Sequence, residues 1–111
     1  MKTFDFRAID APKMAITLRT GLKLTLEVPT VSLVERVREA SKCLSRAITE
    51  HNLGEIKTYY EITAELMSCN AEDITITAED LETRQHLGIE HLVAFFTEYL
   101  EFIEQAGNVK N

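Results

Sequence analysis

Hydrophobic and polar positions change their period along this chain, and each change marks an element. Met14, Ile16 and Leu18 alternate with Ala15, Thr17 and Arg19. After Thr20-Gly21, Leu22, Leu24, Leu26 and Val28 alternate with Lys23, Thr25 and Glu27. Period-two alternation on both sides of a Gly-containing turn predicts a β-hairpin over 13–29 with one apolar face. Two strands alone are marginal in water, so that face is expected to lie on helices. Upstream, Phe4 and Phe6 alternate with Asp5 and Arg7, which suits a short strand or extended arm over 1–12, ended by Pro12.

Beyond Pro29-Thr30 the period becomes helical. Ser32-x-x-Glu35 has the form of a capping box, and Leu33, Val37, Ala40, Leu44, Ala47 and Ile48 share one face, predicting a helix from Ser32 to His51. Asn52-Leu53-Gly54 reads as a helix stop with glycine free to take a positive φ. A second helix is expected from Glu55 to Cys69, with Ile56, Tyr59, Tyr60, Thr63, Leu66 and Met67 inward. Asn70 to Thr77 is a connection carrying Ile74 and Ile76. Thr77-x-x-Asp80 can cap a short helix near Glu79–Gln85, and Gly88 separates it from a longer one at Ile89–Gln105. Ala106-Gly107-Asn108 reads as a stop, leaving 107–111 as a tail. The prediction is a single α+β domain over 1–111, with an N-terminal β-hairpin packed on a bundle of three to four α-helices spanning 30–106.

The last helix is unusually apolar. Leu92, Phe96, Tyr99 and Ile103 lie along one line, Phe95 and Phe102 extend one flank, and Val93 and Leu100 extend the other. The apolar arc is then about 180° wide, against about 100° for an ordinary surface helix. Such a helix packs on two sides, the second being either this chain or a partner. Glu98, Glu101 and Glu104 form the opposite face with no basic residue beside them. Like charges at that spacing, near a helix C-terminus, work against helix stability.

Composition narrows the classes. The chain has 111 residues, 45% hydrophobic and 27% charged, which is ordinary for one globular domain. No apolar run is long enough for a membrane span, and the start MKTFDFRAID lacks a hydrophobic signal core. Two cysteines, Cys43 and Cys69, are too few for a disulfide framework, so a reducing cytoplasm is expected. The net charge is −6, and it is divided unevenly: residues 1–54 carry +3 and residues 55–111 carry −9. An acidic second half repels phosphate backbones and argues against nucleic acid as a ligand. Opposite charges at the two ends favour head-to-tail self-association.

Motifs for chemistry are missing. The four glycines, at 21, 54, 88 and 107, stand alone and form no phosphate-binding loop. His86 and His91 diverge by about 140° on a helix, so they cannot share one ligand. Glu82 and His86 at i,i+4 are the nearest approach to a metal pair, and neither cysteine has zinc or redox spacing. Tyr59 and Tyr60 are better placed for core packing than for stacking a ligand. No residue pattern here selects a catalytic, cofactor-binding or metal-binding site, and a small enzyme or ligand-binding domain stays open as an alternative that would need a pocket of convergent polar groups.

The Phe-x-Phe arm, the hairpin ITLRTGLKLTLEVPT and the helix opening VSLVERV, followed by ITAEDLE and IEHLVAFFTEYLEFIEQ, resemble the small tail assembly chaperones of tailed bacteriophages and prophages. The resemblance spans about residues 4–105 and rests on patterns of strand, turn and helix. It implies a bacteriophage or prophage protein of the host cytoplasm that binds the tape measure protein, shields its apolar helices and supports polymerisation of the tail tube protein. It also implies no catalytic residue. Phe95, Phe96, Tyr99, Phe102 and Ile103 of the closing helix are the candidate partner-binding residues. The alternative function is a small structural tail or head-completion subunit retained in the assembled particle.

Overall fold

The structure, a computed structural model, describes Thr3, Asp5 and residues 12–50 and 53–108. Strands β1 (Lys13–Thr17) and β2 (Lys23–Glu27) pair antiparallel with Met14 opposite Leu26 and Ile16 opposite Leu24. Gly21 takes φ 97° in the turn, a conformation that costs glycine nothing. Three helices follow: α1 (Val31–Thr49), α2 (Leu53–Ser68) and α3 (Ile89–Asn108). A five-residue π turn at Asp80–Arg84 lies between α2 and α3. The protein is therefore α+β, an N-terminal hairpin followed by helices, as the alternation and the helical periods required. The arm residues Phe4, Phe6 and Arg7 lie outside the described residues.

The apolar face of the hairpin is only partly covered. Leu18, Leu24 and Leu26 are buried, Met14 and Ile16 are half-buried, and Leu22 and Val28 are exposed. The core continues through Leu33, Val37 and Leu44 of α1, and Tyr59, Tyr60, Ile62, Thr63, Ala64, Leu66 and Met67 of α2. Ile76 of the connection, Leu81 of the π turn and Leu92, Phe96, Tyr99 and Ile103 of α3 complete it. Ile62 and Ala64 widen the expected α2 stripe, because α2 touches α1, α3, β2 and the π turn and so is packed on several sides. Ala47 and Ile48 fall among side chains outside the description.

Several boundaries differ from the sequence reading. Thr30, not Ser32, caps α1: its hydroxyl accepts from the Leu33 N–H at 3.3 Å and its carbonyl from the Val34 N–H at 3.0 Å. The helix starts at the first opportunity after Pro29, and Ser32 is already inside it. Gly54 is no stop. It lies in the first turn of α2, where its carbonyl accepts from Thr58 Oγ1. The Thr77–Asp80 box forms in both directions, at 3.1 and 3.4 Å. The short helix it starts relaxes into a π turn, closed by Gln85 N–H to the Asp80 carbonyl at 2.9 Å. α3 continues to Asn108, three residues beyond the expected Gln105 and through the residues read as a stop.

Candidate functional site

The residues singled out on α3 divide into two groups. Phe96, Tyr99 and Ile103 are buried, with Leu92, against α1 and α2. Phe95 and Phe102 are half-buried on one flank, with Val93 exposed and Leu100 half-buried on the other. The rings form a continuous row. Phe95 sits 5.4 Å from Tyr99, and Tyr99 sits 5.8 Å from Phe102, all tilted. Phe96 meets Tyr59 of α2 edge-on at 6.3 Å, a favoured aromatic geometry. The exposed part of the row borders Glu98, which follows on the helix surface by about 60°. Glu98, Glu101 and Glu104 are all exposed, and none is ion-paired among the described residues.

Tyr99 is the least comfortable member of the row. Its side chain is fully buried, and its hydroxyl has no hydrogen-bond partner among the described residues. Burial pushes its pKa upward, with the nearby Cys69 thiol adding to the effect. Tyr60 solves the same problem by donating its hydroxyl to the Leu87 carbonyl at 2.6 Å. A buried hydroxyl without a partner costs about 1–3 kcal/mol, so Tyr99 holds its place by ring packing alone.

A groove of about 320 Å³ lies between α1 and α2, floored by Ala40, Cys43, Tyr59 and Ile62 and rimmed by Arg36, Glu39, Glu55 and Thr58. The Arg36 guanidinium forks onto the Glu65 carboxylate with both contacts at 2.9 Å, and this bond raises its pKa. Sequence reading missed the groove. Its floor residues belong to two separate core stripes, and only the pairing of the helices brings Cys43 beside Tyr59. A second cavity of about 280 Å³ lies under the hairpin turn, lined by Thr20, Leu22, Ile74, Ile76, Asp80 and Gln85 among others.

Nothing in the described residues gathers three or more His, Cys, Asp or Glu side chains as a metal site would. Glu82 and His86 do not keep the helical spacing suggested for them. Glu82 lies in the π turn, and His86 lies beyond it with φ 52°. His91 instead accepts the Gly88 N–H on Nδ1 at 2.9 Å, satisfying a free donor at the start of α3. Cys43 and Cys69 are free, half-buried thiols. Burial pushes the Cys69 thiol pKa up, assisted by Glu27 and Glu65, which makes it a poorer nucleophile at neutral pH. No helix among the described residues is long and apolar enough to cross a membrane.

No protein-family model, no curated protein and no solved structure matches this chain.

Proposed function

We propose that the protein is a non-enzymatic tail assembly chaperone of a bacteriophage or prophage. It works in the bacterial cytoplasm, binds the tape measure protein and supports polymerisation of the tail tube protein. The resemblance of its strand, turn and helix patterns to that family supports this reading. The observation that carries it furthest is the half-buried aromatic flank Phe95–Phe102, part of a ring row anchored by Tyr99. An apolar flank edged by carboxylates suits a helical client whose apolar stripe is bordered by Lys or Arg. The buried members Phe96, Tyr99 and Ile103 hold the flank in place.

The test is co-expression of the tagged protein with the tail genes of its phage, followed by capture and mass spectrometry. Recovery of a long, helix-rich partner is expected. The pair Phe95→Ser and Phe102→Ser should weaken its retention by about tenfold or more, while Leu53→Ser, at an exposed site on α2, leaves it unchanged. Recovery of no such partner, or equal retention by all variants, sinks the reading. Persistence of the protein in finished particles would instead favour a structural tail or head-completion subunit.

A further inference from the structure

The groove between α1 and α2 has one polar group left over. Ala40 and Cys43 lie three apart on α1, and Tyr59 and Ile62 lie three apart on α2, so each pair shares a helix face. The small side chains of Ala40 and Cys43 leave a space of about 320 Å³ between the helices. Tyr59 is only 3% exposed. Its ring meets Phe96 of α3 edge-on, and its hydroxyl has no hydrogen-bond partner among the described residues. Among those residues the one orphan hydroxyl sealed from solvent is that of Tyr99, so the Tyr59 hydroxyl opens where its side chain does, on the groove. Burial, followed by Glu55 and Cys43, pushes its pKa above the ordinary value near 10, against the opposing Arg46. Glu55 and Cys43 both line the groove. The hydroxyl therefore keeps its proton at neutral pH and holds a donor ready among the groove residues.

The other polar groups of the lining are engaged. The Thr58 hydroxyl donates to the Gly54 carbonyl at 3.2 Å. Arg36 is forked onto Glu65 at 2.9 Å, Glu55 stands 4.0 Å from Arg46, and Glu39 stands 4.0 Å from Lys42. Each rim charge has an opposite charge beside it, so an ionic ligand would find no unmatched partner. Apart from the Tyr59 hydroxyl, the side chains of the floor offer only carbon and sulfur. The volume lies at the low end of ligand pockets, about 300–1,000 Å³. It has room for one ring with a short substituent and too little for a nucleotide cofactor. A ligand oxygen set against Tyr59 would satisfy a donor that otherwise has no protein partner.

We propose that the α1–α2 groove binds a small neutral molecule, an apolar ring bearing one carbonyl or ether oxygen that accepts from the Tyr59 hydroxyl. The ring lies over Ala40, Cys43 and Ile62 and covers the Cys43 thiol. The site is separate from the α3 flank assigned to the client, and its failure would leave that reading untouched.

The two free cysteines supply the test, because Cys43 lines the groove and Cys69 does not. The probe is acetophenone, a neutral ring with one carbonyl, titrated into the natural protein while N-ethylmaleimide labels the thiols. Mass spectrometry of the peptides reads the two sites separately. Acetophenone at millimolar concentration should slow labelling of Cys43 by about threefold or more and leave Cys69 unchanged. Benzoate, with a charge in place of the ketone, should not protect Cys43. Tyr59→Phe keeps the ring and removes the donor, and should weaken acetophenone binding by about tenfold. Ala40→Leu fills the floor from a half-buried helical position and should abolish protection. No protection of Cys43, equal protection of both cysteines, or equal protection by benzoate overturns the proposal. Undiminished binding by Tyr59→Phe overturns it as well. Shielding of Cys43 by a captured protein partner and not by acetophenone would make the groove a protein seat, which also overturns it. Should Tyr59→Phe fail to fold, Ala40→Leu decides, and protection that survives it sinks the assignment.

Discussion

The hairpin end and the α3 face of this protein are held by opposite means. Around the hairpin, polar side chains act as clamps. Gln85, nearly fully buried, both accepts from the Thr20 N–H at 3.1 Å and donates to the Thr20 hydroxyl at 3.0 Å. Arg19 donates to the His86 carbonyl at 2.9 Å. Asn70 ties the carbonyls of Met67 and Ile74 and the N–H of Ile74, and bridges to Leu26. Among the described residues the α3 face has no comparable clamp: Tyr99, at its centre, leaves a buried hydroxyl unpartnered. Hydrogen bonds specify direction, and ring packing is tolerant of small shifts. The hairpin is thus located by geometry and α3 by volume.

That contrast is sharpest at Tyr99. Tyr99→Ala removes the keystone of the ring row and should destabilise by about 3–5 kcal/mol, seen in urea denaturation. Tyr99→Phe keeps the ring and deletes only the orphan hydroxyl, so it should be neutral or stabilising by up to about 1 kcal/mol. A large loss in Tyr99→Phe would mean that α3 is held by polar contacts after all. Asn70→Ala should cost about 2–3 kcal/mol, because it breaks three bonds to backbone groups, one buried and two partly buried. Hydrogen exchange should rise at Ile74 and along the outer edge of β2 before it rises in α3. Uniform loosening of both regions would erase the distinction.

The smallest effect belongs to Glu72. Hydrogen bonds from Thr25, backbone first and hydroxyl second, hold this carboxyl below its ordinary value near 4.5. A depressed folded pKa contributes stability above the unfolded value, lost as pH falls through the folded one. The melting temperature of the natural protein should therefore exceed that of Glu72→Gln at neutral pH. The gap should close on acidification below about pH 4. A gap unchanged down to pH 3 would separate Glu72 from the clamp.

The α3 stripe was legible in the sequence, since Leu92, Phe96, Tyr99 and Ile103 follow a single helical period that burial enforces. The hairpin and most of its apolar face were legible for the same reason, through their period of two, although Leu22 and Val28 at its ends are exposed. The clamps were not. Asn70 beside Leu26 and Gln85 beside Thr20 are separated by 44 and 65 positions, and no local pattern encodes such a meeting. The α1 cap was misplaced because Thr30 and Ser32 are both capping residues and only the start of the helix chooses between them. Which of the five candidate residues on α3 remain accessible was equally hidden. Phe95 and Phe102 differ from Phe96 only by the placement of α1 and α2.

The π turn at Asp80–Arg84 bears on how this protein tolerates changes in length. Its closing bond joins Gln85 to Asp80, five positions apart, where an α-helix would span four. Loss of one exposed residue here, such as Glu82, would let the same two atoms close an α-helical ring. Leu81 would stay in the core and Gln85 would stay on Thr20. The segment is a slack link, one residue longer than its two anchors need, and a lineage of such proteins can drift in length there without unseating either region.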